Sequence, residues 1–202
     1  MKIKLNTVLA AICLIMASSL CIVPYYWING FVGIFVVPSL LLLGLGLTVW
    51  LGFRLYKSGN DIQTGFQKFG FYATIVIAVC SLFAEVPIEY LDWHLRQATR
   101  NEIVQKVKNG TLKPNVSYNN VICSLSYLYF PPISNGGNDI AIEYGKDKSV
   151  TVEFYISRGF LDHYSAFVYT EDLEKIKEFE DMIKRNGHGN KKLENNWYRV
   201  SY

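Results

Sequence analysis

The chain has 202 residues, of which half are hydrophobic and 18% are charged, and its formal net charge is +3. Only 8 of the 37 acidic and basic residues precede Asp92, which excludes both a single soluble globular domain and an intrinsically disordered chain. From Asp92 onwards there are 15 basic and 14 acidic residues, so the charged half lacks the excess of positive charge typical of a nucleic-acid-binding protein.

Three long apolar runs predict three transmembrane helices in a membrane region that covers residues 1–93. The runs lie at about residues 5–23, 31–51 and 69–91, and the first two contain no charged residue. About 20 apolar residues cross the hydrocarbon core of a bilayer, so the first two runs are each long enough. The third run is uncharged until Glu85, and we expect Pro87 to kink the helix where it leaves the membrane.

The first run has an alternative interpretation as a cleaved signal peptide. Lys2 and Lys4 precede it, and Ala17-Ser18-Ser19 loosely fits a small-residue cleavage site. However, the run is longer than the core of a typical signal peptide, and a second apolar run follows it at once. These two features favour an uncleaved first helix.

Basic residues in the short connecting segments predict the orientation of the spans. Five of them lie before the first span or between the second and the third: Lys2, Lys4, Arg54, Lys57 and Lys68. The connection at residues 24–30 has none. Because basic loops remain cytoplasmic, we expect the N-terminus inside and, after three crossings, the C-terminal domain outside. Four basic residues between 96 and 108 oppose this orientation, but long domains are translocated largely regardless of charge.

Aromatic residues flank the predicted spans on both sides, as expected of side chains that prefer the headgroup level. One predicted belt contains Tyr25, Tyr26, Trp27, Tyr90 and Trp93, and the other contains Trp50, Tyr56 and Tyr72.

Each predicted span also carries small side chains four residues apart, which share one face of a helix. The rows are Cys13 and Ala17 in the first span, Gly44, Thr48 and Gly52 in the second, and Gly70, Thr74 and Ala78 in the third. Small faces allow helices to approach closely in lipid. We expect the three rows to pack one chain into a bundle, and the alternative is a surface for a membrane protein partner or a homo-oligomer.

Glu85 is the candidate ionisable residue within a span. An ionisable group in hydrocarbon is costly and by default indicates a functional site. Glu85 also begins a charged ridge at helical spacing, which continues through Glu89, Asp92, Arg96 and Arg100. Asp92 can pair with Arg96 in this ridge, which favours a structural role for Glu85 over an ion or proton site.

Residues 94–202 predict an extramembrane α+β domain, a mainly antiparallel sheet with a helix packed on one face. Helices are expected over 91–108 and 171–185, the second capped by Thr170, and strands over 121–130, 139–144, 150–156, 165–169 and 197–202. A sheet covered on one face must turn several tyrosines outward. Exposed tyrosine favours a recognition surface, although tyrosine is also a good strand former.

The segment Ser157–Ser165 joins two predicted strands and contains the candidate ligand- or partner-binding residues Arg158, Asp162 and His163. A base, an acid and hydroxyls at a strand end can form a site, but no nucleophile motif accompanies them. The plainer interpretation is that Arg158 pairs with Asp162 and pins the loop. The four cysteines and three histidines have no metal-ligand spacing, and no phosphate-binding or dinucleotide motif is present. We therefore predict no catalytic residue, metal or cofactor.

The expected function is that of a multi-pass protein of the cell membrane whose extracytoplasmic domain binds a partner or senses a ligand. The lipid bilayer is its expected partner, and nucleic acid is not. Two alternatives remain open at this point. One is a membrane-tethered hydrolase that uses the loop at 157–165, and the other is an accessory subunit of an oligomeric channel or transporter that uses Glu85.

Overall fold

The computed structural model describes residues 5–28, 30–57, 62–125, 129–159, 163–185 and 189–202. The chain forms two compact units. The first consists of Met1–Pro24 and Val32–Glu89, and the second of Tyr25–Phe31 and Tyr90–Tyr202. The connection between the first two helices therefore belongs to the same unit as the C-terminal domain.

Two long apolar helices begin the chain, α1 over Leu5–Trp27 and α2 over Gly30–Tyr56, and each is long and apolar enough to cross a membrane. Both extend beyond the predicted runs. α1 continues through Pro24, so the connection predicted over residues 24–30 is mostly helical. Proline is tolerated in such helices because neighbouring groups satisfy the backbone carbonyl that it leaves free.

The third predicted span, residues 69–91, is not one continuous helix. α3 covers Ile62–Ser81 and α4 covers Glu85–Lys108, and their axes differ by 80°. Taken together they are long and apolar enough for one bent span, so the described part of the chain has two or three candidate spans. The bend lies at residues 82–84 and not at Pro87, because Pro87 falls in the first turn of α4, where its missing N–H removes no helical hydrogen bond.

Small residues bring α1, α2 and α3 close together within the first unit. A Cβ atom at Gly70 would lie 3.3 Å from Ala10 Cβ, and one at Gly52 would lie 3.1 Å from Phe71 Cε2. Both distances are below the usual separation of about 3.5–4.0 Å between carbon atoms in contact. Cys13 and Ala17 are buried beside them. Glycine at these positions therefore allows contacts between helices that a larger residue would prevent.

The C-terminal domain contains the antiparallel sheet that the sequence predicts. Its six strands are β1 Ile122–Ser124, β2 Asp139–Tyr144, β3 Val150–Arg158, β4 Tyr164–Thr170, β5 Lys191–Glu194 and β6 Trp197–Ser201, and α5 covers Leu173–Lys184. The spatial order is β1-β2-β3-β4-β6-β5, with every neighbouring pair antiparallel. β1 is shorter than predicted and β5 was not predicted. Asp172, rather than Thr170, caps α5 by accepting hydrogen bonds from the backbone N–H groups of residues 174 and 175.

The prediction that a helix covers only one face of the sheet is wrong, because a helix packs on each face. On one face the second half of α4, with Ile103 and Val107, belongs to the same core as Phe154 of β3. On the other face Phe179 of α5 packs with Tyr198 of β6. Alternate side chains of β3 are therefore buried on both faces, and fewer tyrosines are exposed than a one-sided sheet would require.

Trp93 is a second correction. The sequence placed it in an aromatic belt at the membrane interface, but it is buried in the core shared by α4 and the sheet. Its ring centroid lies 5.1 Å from that of Phe167 and 5.2 Å from that of Trp197. Hydropathy alone does not distinguish a tryptophan at a headgroup from one that starts a protein core.

Candidate functional site

A buried ion cluster in the second unit joins α4 to the last turn of α1. Arg100 is 1% exposed and forms an ion pair with the equally buried Asp92. Arg100 also donates a 3.0 Å hydrogen bond to the backbone carbonyl of Asp92. The Tyr26 hydroxyl donates to Asp92 Oδ1 at 2.9 Å. Such a pair is tolerated in an interior because each charge has further hydrogen-bonding partners.

Arg96 and Asn135 extend this cluster to the loop that precedes β2. Arg96 pairs with Asp92 at 3.3 Å and donates to the carbonyl oxygens of Pro131 and Pro132, the latter at 2.6 Å. Asn135 Nδ2 donates to the carbonyl oxygen of Tyr25 at 2.6 Å. The cluster therefore attaches the last turn of α1 to the C-terminal domain, and its contacts indicate a structural role.

The end of the β3–β4 hairpin contains the residues that the sequence selected for binding. Arg158, the last residue of β3, lies with its guanidinium carbon 3.9 Å from the centroid of the Tyr155 ring. The pairing of β3 with β4 shifts register between Tyr155 and Ser157. A bulge of this kind changes the alternation of a strand, which allows residues three positions apart to share one side.

The guanidinium of Arg158 has unused hydrogen-bonding capacity. Its Nε is buried and has no hydrogen-bond acceptor among the described residues, and its Nη2 makes a long bond of 3.5 Å to the carbonyl oxygen of Asp139. No carboxylate within the described ranges forms an ion pair with it. A buried donor without an acceptor costs about 1–3 kcal/mol. A planar guanidinium held in place on an aromatic ring can bind an anionic group through the N–H groups of its Nη atoms.

A buried carboxylate network lies beside this arginine on the α5 side of the sheet. Glu153 is 5% exposed and accepts hydrogen bonds from the hydroxyls of Tyr164 at 3.1 Å and Tyr202 at 3.2 Å. Burial raises the pKa of the Glu153 carboxyl above its ordinary value of 4.5. Burial and the neighbouring Glu153 charge also raise the pKa of both tyrosines. The Tyr164 ring stacks on Tyr202 and makes an edge contact with Tyr155, which connects this network to Arg158.

His163 lies at the other end of the hairpin loop and is exposed. Its Nδ1 is 3.4 Å from the backbone carbonyl oxygen of Tyr202, and its own carbonyl accepts a 2.7 Å hydrogen bond from Gly159 N. Asp162 lies outside the described residues, so its pairing with Arg158 stays a prediction. Neither Arg158 nor His163 lines the polar cleft of about 480 Å³ at the start of α5. The described contacts thus place Arg158 with Tyr155, and His163 separately with the C-terminal residue.

The small-residue positions of the membrane helices line a groove in the first unit. The groove has a volume of about 380 Å³, and its lining includes Cys13, Ala17, Gly44, Thr48, Thr74 and Ala78. The hydroxyls of Thr48 and Thr74 donate to carbonyl oxygens of their own helices at 2.7 and 2.8 Å. Because both hydroxyls are already hydrogen-bonded within their own helices, the groove presents a mainly apolar surface. Glu85 is exposed in the first turn of α4 and does not line it.

Sequence reasoning missed Glu153 and Tyr155 as parts of a site. Both alternate with the core residues of β3, and in a one-sided sheet that pattern indicates solvent exposure. Tyr164 and Tyr202 bond to Glu153 on the second face of the sheet, and the Tyr164 ring contacts the half-buried Tyr155. Tyr26 was also missed as a partner of Asp92, because the two residues are 66 positions apart and no local spacing connects them.

Comparison of the chain with protein-family models, curated protein sequences and solved structures finds no match in any of the three.

Proposed function

We propose that this chain is a multi-pass membrane protein whose α+β domain lies on the extracytoplasmic side and binds an anionic group of a ligand or partner through Arg158. The observation that carries the proposal is the state of the Arg158 guanidinium. It stacks on Tyr155, its Nε is buried without an acceptor, and no described carboxylate pairs with it. The Arg158 side chain is half-buried, so an anion can approach its Nη atoms, and arginine forms paired hydrogen bonds with carboxylates and phosphates.

The last turn of α1 and the residues that follow it support the extracytoplasmic placement. A membrane-crossing α1 brings residues 25–31 to the side opposite the N-terminus, and these residues belong to the same unit as the domain. The hydrogen bonds from Tyr26 to Asp92 and from Asn135 to the Tyr25 carbonyl hold them there. The domain then lies opposite the N-terminus as well, which requires α3 to complete a third crossing. The basic residues before α1 and after α2 favour a cytoplasmic N-terminus.

Arg158→Gln tests the binding site in the full chain, purified in a detergent with an uncharged headgroup. The probe is inorganic phosphate, with chloride at equal ionic strength as the reference. We expect phosphate to raise the thermal unfolding midpoint of the wild type, because a ligand at about ten times its Kd stabilises the folded state by about 1.4 kcal/mol. The increase should disappear in Arg158→Gln and be reduced in Arg158→Lys, which keeps the charge but loses the planar pair of donors.

Lys184→Gln is the matched control, because it removes one positive charge from an exposed side chain of the same domain. It should respond to phosphate as the wild type does. An equal phosphate response in Arg158→Gln and the wild type would refute the site. So would an Arg158→Gln protein that folds, localises and functions normally in cells.

A further inference from the structure

The second unit exposes an aromatic pair that its own core does not require. Phe130 is 87% exposed, although it is a large apolar side chain. Its ring centroid lies 5.7 Å from that of Trp27, which is itself exposed. Two large apolar rings in contact and open to the surface form a patch of the kind that marks an interaction site.

The backbone around Phe130 is held on both sides, so the position of the ring is set by hydrogen bonds. Before it, the carbonyl oxygen of Tyr129 accepts a 3.0 Å bond from Asn138 Nδ2. After it, the carbonyl oxygens of Pro131 and Pro132 accept bonds from Arg96. Phe130 is therefore exposed in a loop whose backbone is fixed by hydrogen bonds on both sides.

Chain connectivity places this aromatic pair at a defined depth relative to the membrane. Trp27 is the last residue of α1, a helix that is long and apolar enough to cross a membrane. A tryptophan at the end of a spanning helix lies at the headgroup level. Phe130, in contact with Trp27 but more than 100 positions away in sequence, must then lie at the same level.

We propose that Trp27 and Phe130 form a membrane-contact surface that seats the extracytoplasmic domain on the lipid headgroup region. This inference rests on the membrane anchoring in the proposed function and concerns residues other than the Arg158 site. Amphipathic and apolar rings are favoured at the boundary between headgroups and acyl chains. The lipid surface is the occupant that connectivity supports, because Trp27 is covalently continuous with α1. The domain thus has a second attachment to the bilayer, contributed by a loop between two strands.

An environment-sensitive fluorophore tests this surface in the full chain. The four cysteines, Cys13, Cys21, Cys80 and Cys123, are first replaced by serine or alanine, and Phe130→Cys is then labelled with a nitrobenzoxadiazole probe. The protein is reconstituted in phosphatidylcholine vesicles with and without doxyl-labelled phosphatidylcholine. Leu173→Cys is the matched control, because Leu173 is 75% exposed and lies at the start of α5, on the sheet face opposite α4. We expect a blue-shifted emission and quenching by the doxyl lipid at position 130, and neither at position 173.

Two outcomes would overturn the inference. One is an emission at position 130 that is as aqueous as that at position 173. The other is a blue shift that grows with the ratio of protein to lipid but shows no doxyl quenching, which would assign the patch to a second copy of the chain. Flotation of the same labelled protein with the vesicles after an alkaline wash reports the anchoring separately. A protein that floats but leaves position 130 in water would contradict this surface and not the proposed function.

Discussion

At the scale of single residues, the domain buries two carboxylates in different ways. Asp92 is ion-paired with Arg100 and so keeps its charge compensated. Glu153 instead accepts hydrogen bonds from two tyrosine hydroxyls. The charge of Lys175 lowers the pKa of Glu153, and the charge of Glu143 raises it. Hydrogen bonds from hydroxyls only partly offset the cost of burying a carboxylate, which is why its pKa is raised.

Glu153→Gln should change how stability depends on pH. A carboxyl whose pKa is raised on folding binds its proton more tightly in the folded state. Its stabilising contribution is complete below the unfolded pKa and is lost as pH rises through the folded pKa. The glutamine variant stays neutral, so its stability relative to the wild type should increase as pH rises from below the unfolded pKa, about 4.3, through the folded pKa, by about 1.4 kcal/mol for each unit of pKa shift. Denaturant unfolding at a series of pH values across this range measures the difference.

Glu194→Gln is the control for this prediction, since Glu194 is an exposed residue at the end of β5. Its pH dependence over the same range gives the background against which the Glu153→Gln difference is compared. A flat difference for Glu153→Gln would show that Glu153 folds with an unperturbed carboxyl.

Residues of the candidate site were predictable to different degrees. Arg158 and His163 were found because they are polar residues at a strand end. Glu153 and Tyr155 were not found, since their partners Tyr164 and Tyr202 come from other parts of the chain that no local spacing connects to them. The stacking of Arg158 on Tyr155 follows from a shift in strand register that no residue in the sequence specifies.

At the scale of elements, the two ends of α4 have different environments, although the sequence predicts one continuous helix. Its first turns carry exposed apolar residues, and its last turns pack Ile103 and Val107 into the core of the sheet. The sequence predicted the helix but not the bend before it, because the apolar run from 69 continues without interruption through the residues at the break. Hydropathy shows how long an apolar segment is, but it does not show where the helix bends. The strands β2 to β4 were predictable from alternation and turns, whereas β5 begins with two lysines and resembles a loop.

Gly70→Val should destabilise the membrane helices. A Cβ at this position would already approach Ala10 Cβ to 3.3 Å, and the extra methyl groups must push α1 and α3 apart. Overpacking of this kind typically costs about 1–3 kcal/mol. Gly46→Val is the matched control, since a Cβ at Gly46 meets no atom within 4 Å. Thermal unfolding in detergent should show a lower midpoint for Gly70→Val only, and equal midpoints for the two variants would contradict the helix packing described above.

At the scale of the whole molecule, the sequence indicates a membrane part and a folded domain, and the structure adds which segments belong to each unit. The assignment of residues 25–31 to the domain could not be predicted, because it depends on contacts such as Tyr26 with Asp92 that span most of the chain. This assignment bears directly on topology. A chain with two crossings would leave the domain on the side of its N-terminus, and a chain with three crossings places it opposite.

Topology is therefore the measurement that tests the account most directly. Two fusions after Tyr202, each through a Gly/Ser linker, carry either a phosphatase that is active only outside the cytoplasm or a fluorescent protein that folds only inside it. We expect an active phosphatase and no fluorescence, because in the proposed topology α1, α2 and α3 each cross the membrane from a cytoplasmic N-terminus. Fluorescence with an inactive phosphatase would contradict it, since the domain and the connection after α1 would then lie on the cytoplasmic side.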